Sequence, residues 1–190
     1  MENLLKEAEN FVTNLLNEEL NPSFVYHSVF HTQHVVDKTK EIIEGLEIEE
    51  KSAHKLLLAA WFHDVGYIKS IENHEEESVK IAEGFLQKQK VSEIEIAEIS
   101  KIILATKVGV QPESELEKII CDADCAHIGS KNFTDYTSLL RKEWELTKDY
   151  IISDSKWNTE NILFLTSHKY YTVYAAKNWG KARGKNLAQL

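Results

Sequence analysis

The segment Leu56-Leu57-Leu58-Ala59-Ala60-Trp61-Phe62-His63-Asp64-Val65-Gly66-Tyr67 constrains this chain more than any other. A run of apolar, helix-favouring residues ends in an adjacent imidazole and carboxylate, and a glycine follows two residues later. Burying that pair in a helical core is unfavourable unless something holds both groups. A metal ion holds both at once. Adjacent side chains leave a helix about 100° apart, but His is long and Asp short, so both reach one ion in the groove beside the helix. Gly66 then suits a helix C-terminus, where a left-handed residue is often needed. The plain alternative is a buried ion pair, or a histidine satisfied by a backbone carbonyl, because ionisable pairs also occur in purely structural networks.

The rest of the chain reads as helices around this one. Leu4, Leu5, Ala8, Phe11, Val12, Leu15 and Leu16 form one stripe at helical spacing, and Asn21-Pro22-Ser23 ends it. A second helix is predicted from Tyr26 to Gly45, with Phe30, Val35, Thr39, Ile42 and Ile43 facing the core. The organising helix runs from Glu50 to Val65, with a loop from Tyr67 to Glu72. Asn73 with Glu76, Ser92 with Glu95 and Ser114 with Glu117 have capping-box spacing and open the next three helices. The third of these carries Asp122, Asp124 and His127. A helix over Phe133 to Asp149 and a last one from Asn158 to Trp179 complete the chain, with a basic stretch from Lys177 to Lys185. No period-2 strand and no repeat is evident. The expectation is an all-α fold of about seven to nine helices in a single domain over residues 1–190, with a motif core over 26–130 and C-terminal helices over 133–190.

Composition narrows the function classes. A 43% hydrophobic fraction and only two prolines in 190 residues suit a sizeable helical core rather than disorder. The net charge of -9 argues against a nucleic-acid polymer or a membrane surface as partner, both of which favour basic patches. It leaves room for a small phosphorylated ligand at a local positive site. No charged-then-apolar leader and no bilayer-length apolar run is present. Cys121 and Cys125 lie one helical turn apart, poorly placed for a structural disulfide. The expected compartment is the cytoplasm, and the expected state a monomer or homodimer.

Four polar signals stand on otherwise apolar faces of four predicted helices: His31, the His63-Asp64 pair, His74 and Asp124. Metal sites in helical domains are commonly built this way, from facing helices. Imidazole and carboxylate together suit Mn, Fe, Co, Ni or Zn, with Mg also possible. Neither a Cys-x-x-Cys nor a His-Glu-x-x-His pattern is present, so a zinc finger or zincin is not indicated. On spacing alone each residue has a bland alternative. His27 and His34 share a face with His31 and compete with it. Asp122 rivals Asp124. His74 with the glutamates behind it also reads as a solvated helix start that suits the helix dipole.

Taken together, Tyr26-His27-…-His31-Thr32, Ala59-Ala60-Trp61-Phe62-His63-Asp64-Val65-Gly66 and Asp122-Ala123-Asp124-…-Gly129 resemble the HD superfamily of metal-dependent phosphohydrolases. The order His, His-Asp, Asp is that superfamily's signature. Ile103-Leu104-Ala105-Thr106-Lys107 and His168-Lys169-Tyr170-Tyr171-Thr172 look like a bacterial branch of it. The resemblance implies an all-α bundle of the HD type with its metal site between core helices. His31, His63, Asp64 and Asp124 would be the ligands of a divalent ion. Binuclear members add histidines after the His-Asp helix. His74 matches one such place, but Thr106-Lys107 stands where a second is expected. One tightly held ion is therefore favoured, with a weaker second ion at His74 as the alternative.

The activity implied is hydrolysis of a small phosphoester, a nucleotide above all, as a phosphomonoesterase or phosphodiesterase. His27 resembles the position that protonates the leaving oxygen in the family's cyclic-nucleotide phosphodiesterases, so it is the candidate general acid. His74 and Glu75 are candidates for carrying protons or orienting water, and Lys107 for neutralising phosphate charge. Arg141, Lys169, Lys181 and Arg183 are weaker candidates that also read as a solvated basic face. The competing readings are a di-iron oxygenase of the same fold, against which Thr106 counts, and a catalytically silent nucleotide sensor.

Overall fold

The computed structural model describes residues 2–190. Among them are nine α-helices, two short 3-10 turns and no strand. The helices are α1 (Glu2–Glu19), α2 (Val29–Leu46), α3 (Glu50–Phe62), α4 (His74–Lys88), α5 (Glu93–Leu104), α6 (Glu115–Asp124), α7 (Phe133–Lys148), α8 (Asp154–Ser167) and α9 (Val173–Leu187). The 3-10 turns are Val65–Ile68, directly after α3, and Cys125–Gly129, directly after α6.

α3 is the central helix because its apolar residues leave it no solvated face. Leu56, Leu58, Ala59, Ala60 and Phe62 are fully buried, and α1, α2, α4, α5 and α6 all pack on it. Burying each large side chain contributes about 1.5–3 kcal/mol, so the run that ends in His63-Asp64 is among the most firmly held parts of the chain. A smaller apolar cluster of Ile128, Phe133 and Leu165 joins the C-terminal helices to the Cys125–Gly129 turn. No helix among the described residues is long and apolar enough to cross a membrane.

Several local expectations are corrected. α2 starts at Val29, after an N-cap at Ser28, so Tyr26 and His27 lie in the turn before it. The organising helix ends at Phe62 rather than Val65, and Asp64 takes φ -112° and ψ 1° as the chain tightens into the 3-10 turn. Gly66 is not a left-handed cap, since Gly109 is the glycine with positive φ. It is needed for close approach: a Cβ there would stand 2.0 Å from the His74 carbonyl oxygen and 2.6 Å from the Ser78 nitrogen.

The Asn73 side chain makes no capping bond. Ser92 accepts from the Glu95 amide, and Ser114 with Glu117 forms the full reciprocal box. The predicted last helix is two helices, with α9 capped by the Thr172 side chain accepting from the Ala175 amide. Phe30, expected in the core, is 66% exposed and stacks on Tyr136. Cys121 and Cys125 are free thiols.

Candidate metal centre

His31 comes from the first turn of α2, His63 and Asp64 from the end of α3, and Asp124 from the last residue of α6. His31 Nε2 lies 3.2 Å from Asp64 Oδ2 and 3.2 Å from Asp124 Oδ1. His63 Nε2 lies 3.1 Å from Asp64 Oδ2, 3.7 Å from Asp124 Oδ1 and 3.3 Å from His31 Nε2. N and O ligands about 2.1 Å from one ion stand roughly 3 to 3.5 Å from each other, close to the spacing found here, with the His63–Asp124 pair slightly wider at 3.7 Å. His31, His63 and Asp124 form the one group of three such donors close enough to share an ion among the described residues. Asp64 Oδ2 adds a fourth donor beside the two imidazoles. His31 and Asp64 are buried and His63 fully so, whereas the Asp124 side chain is 26% exposed. The cluster is therefore open on the Asp124 side.

The electrostatics require positive charge in the middle. His63 Nδ1 donates to the Ala60 carbonyl at 2.9 Å, so Nε2 is the nitrogen left to face the carboxylates. Burial works against a charged His31, but hydrogen bonds to Asp124 and Asp64 outweigh it and push its pKa up to about 10. His63 is raised against burial too, first by the Asp64 charge. Burial likewise opposes ionisation of Asp64 and Asp124, yet His63 and His31 hold both below the usual carboxylate range. In the metal-free chain imidazolium supplies the charge; a dication in the same place supplies it without protons.

Other sequence candidates surround this cluster. His74 Nδ1 donates to the Ile71 carbonyl at 3.0 Å, and its Nε2 lies 3.7 Å from Asp64 Oδ1 and 3.4 Å from Glu75 Oε1. Glu75 is 3% exposed, and its Oε2 is buried without a hydrogen-bond partner. A buried orphan carboxylate oxygen beside a donor cluster marks a place built for an ion, water or proton. Tyr67 is stacked between His27, with centroids 4.5 Å apart, and His74, at 3.9 Å.

Lys107 pairs with Glu76, the neighbour of Glu75, so part of its charge is already committed. Arg141 is tied to Glu145, Asp154 and the Ile152 carbonyl, and Arg183 to the Leu165 and His168 carbonyls. Lys169 and Lys181 are exposed. Asp122 accepts the Tyr171 and Thr172 amides at 2.8 and 2.7 Å, which removes it as a rival to Asp124. His34 turns instead to Tyr136, whose hydroxyl lies 3.3 Å from its Nδ1.

Three residues here escaped the sequence reading. Tyr67 follows His-Asp-Val-Gly directly, and its aromatic ring was the available signal. Tyr26 sits 4.8 Å from the His31 ring with its hydroxyl 3.2 Å from His127 Nδ1. Glu143 is buried on α7 in the stripe begun by Phe133 and Thr137, where a carboxylate on an apolar face was the clue.

With this geometry in view, the HD domain model matches residues 29–128, just over half of the 190. The chain belongs to the HD domain family. No curated protein and no solved structure matches it. HD domains bind divalent metal, and the His31, His63 and Asp124 donors are of a type and spacing that could hold one. The matched segment spans α2 to α6 and holds His31, His63, Asp64, His74, Glu75, Lys107 and Asp124. His27 and Glu143 fall outside the HD segment.

Proposed function

We propose that this HD domain protein is a metal-dependent hydrolase of small phosphoesters, with a nucleotide as the first substrate class to try. The observation that carries this reading is the convergence of His31, His63 and Asp124 on one point, with Asp64 Oδ2 against both imidazoles and His27 and His74 flanking them across Tyr67. His31, His63, Asp64 and Asp124 would hold the ion. Bound there, a divalent ion supplies Lewis acidity and offsets the charge of a phosphoryl group.

The chain's own residues account for the protons. The attacking water gives its oxygen to phosphorus and its proton to His74 Nε2, which Glu75 Oε1 faces at 3.4 Å. As the P–O bond to the leaving group breaks, its electron pair stays on that oxygen, and imidazolium His27 delivers a proton there from Nε2. Tyr67, between the two rings, keeps donor and acceptor apart and oriented. Lys107 at the rim, shared with Glu76, is available to meet phosphate charge. The negative charge of the whole chain suits a small substrate better than a nucleic-acid polymer.

The test is elemental analysis of protein purified without added metal, then a screen of phosphate release from nucleotides and chromogenic phosphoesters with Mn, Ni, Co and Mg. About one transition metal per chain with metal-dependent release supports the reading. Two irons without release would move it to an oxygenase, and bound metal with tight nucleotide binding but no turnover would make the protein a sensor.

A further inference from the structure

Glu143 is placed as no surface glutamate would be. It is 2% exposed on α7, outside the HD segment and 116 residues from His27. Its Oε2 accepts the backbone amides of Tyr26 and His27, at 2.8 and 2.9 Å, and its Oε1 pairs with His27 Nδ1. The only ion-pair partner of this buried carboxylate among the described residues is the His27 imidazole. A carboxylate buried on those terms is unfavourable unless its hydrogen bonds are filled, and three donors from two consecutive residues fill them.

The arrangement fixes more than position. An ionised carboxylate only accepts, so the hydrogen between the two groups sits on His27 Nδ1. The ring is then committed to the Nδ1–H form when neutral, and Nε2 is the nitrogen with no hydrogen-bond partner among the described residues. The ring cannot turn freely, because it lies stacked on Tyr67 and edge-on to Tyr26 and His31, with centroids 4.5, 4.7 and 5.4 Å away. The side chain keeps 17% of its surface exposed, so Nε2 is not sealed from a ligand.

We propose that Glu143 is a positioning residue that sets the tautomer and orientation of His27, leaving Nε2 to deliver the proton to the leaving oxygen. The proposal rests on the assignment of His27 as proton donor made above. After delivery the ring is neutral with its hydrogen on Nδ1, held by Glu143, and a solvent proton returns to Nε2 before the next turnover.

The experiment uses Glu143→Gln in the full chain. Gln offers Oε1 to the two amides as before but turns an N–H toward His27 Nδ1, so the ring must change to the Nε2–H form. Nitrogen-15 correlation spectra of the histidine rings read this directly, without substrate. The expected result is Nδ1–H in the wild type and Nε2–H in E143Q, with metal content unchanged. Metal-loaded E143Q should lose about 100-fold in turnover on a nucleoside monophosphate, whose leaving alkoxide needs a proton, and much less on p-nitrophenyl phosphate, whose phenolate leaves without one. A purely structural role would lower both substrates alike.

An Nε2–H ring in the wild type overturns the proposal even if E143Q fails to fold, and so does a changed tautomer with undiminished turnover on the nucleotide. If the wild type hydrolyses neither substrate, the functional reading fails instead, and the tautomer comparison alone decides whether Glu143 sets the ring.

Discussion

Asp122 and Asp124 sit two residues apart at the end of α6 and hold different things. Asp122 grips the Tyr171 and Thr172 amides at the start of α9, while Asp124 Oδ1 lies 3.2 Å from His31 Nε2. One carboxylate fastens the chain; the other belongs to the donor cluster. Asn in place of each separates the two tasks. Asp122→Asn should lower stability by about 1–3 kcal/mol, the cost of a buried donor left facing a donor, with metal content unchanged. Asp124→Asn should lose metal with a much smaller change in the melting temperature of the metal-free protein. Metal analysis and denaturant midpoints on both variants check this, and loss of metal from the first variant would reverse the assignment.

Gly66→Ala tests the close approach of α4 to the end of α3. The added Cβ would meet the His74 carbonyl oxygen at 2.0 Å, a backbone atom that no rotamer change can move aside. Crowding of this kind costs about 1–3 kcal/mol or more, and relief comes only by parting His63-Asp64 from His74-Glu75. Stability and metal affinity should therefore fall together. Calorimetry for the first and metal titration for the second would show it, and an unchanged metal affinity would mean that α4 does not frame the site.

Chelation should lower the melting temperature, because an ion bound to the folded chain alone stabilises it by mass action. The shift should grow with the concentration of metal added back. In His63→Ala or Asp64→Ala the chelator should make no difference, since both metal and turnover are expected to be lost. Chelator-sensitive melting in either variant would place the ion elsewhere.

Acid sensitivity should begin well above the carboxylate range. His34, His127 and His168 are lowered to about 4, with burial the leading cause in each. Unfolded histidine titrates near 6.5, so between about 6.5 and 4 the unfolded chain binds protons that the folded chain refuses. The stability these three neutral rings contribute should be full above that window and be lost as pH drops through it, whereas His31 and His63, raised in the fold, act in the opposite sense above about 6.5 in the metal-free chain. Urea midpoints taken from pH 7.5 to 4.5 give the slope; a flat profile would mean that these rings titrate freely in the fold.

The sequence made the helical class legible because it is written in short-range spacing, whereas the choice of His31, His63, Asp64 and Asp124 over their neighbours came from the resemblance to the HD superfamily. The apolar stripe of α1, the Ser114–Glu117 box and the run into His63-Asp64 are local signals, and local signals survive without coordinates. What stayed hidden depends on distant partners. His27 looked helical until Glu143, far along the chain, took its amide. Asp122 looked like a ligand until the break between α8 and α9 came to rest on it. Gly66 announced a need for glycine but not its reason, since a left-handed turn and a tight crossing of helices ask for the same residue.

The bond between Glu143 and the His27 turn also bears on the order in which the protein comes into being. The four residues proposed to hold the ion have all been synthesised once Asp124 has emerged, but the carboxylate that seats His27 is made later, within α7. On that proposal a growing chain could gather its ion before its proton donor is in register. On the proposed reading, metal binding and phosphoester turnover would arrive as separate events, the second waiting on a helix that lies beyond the HD segment.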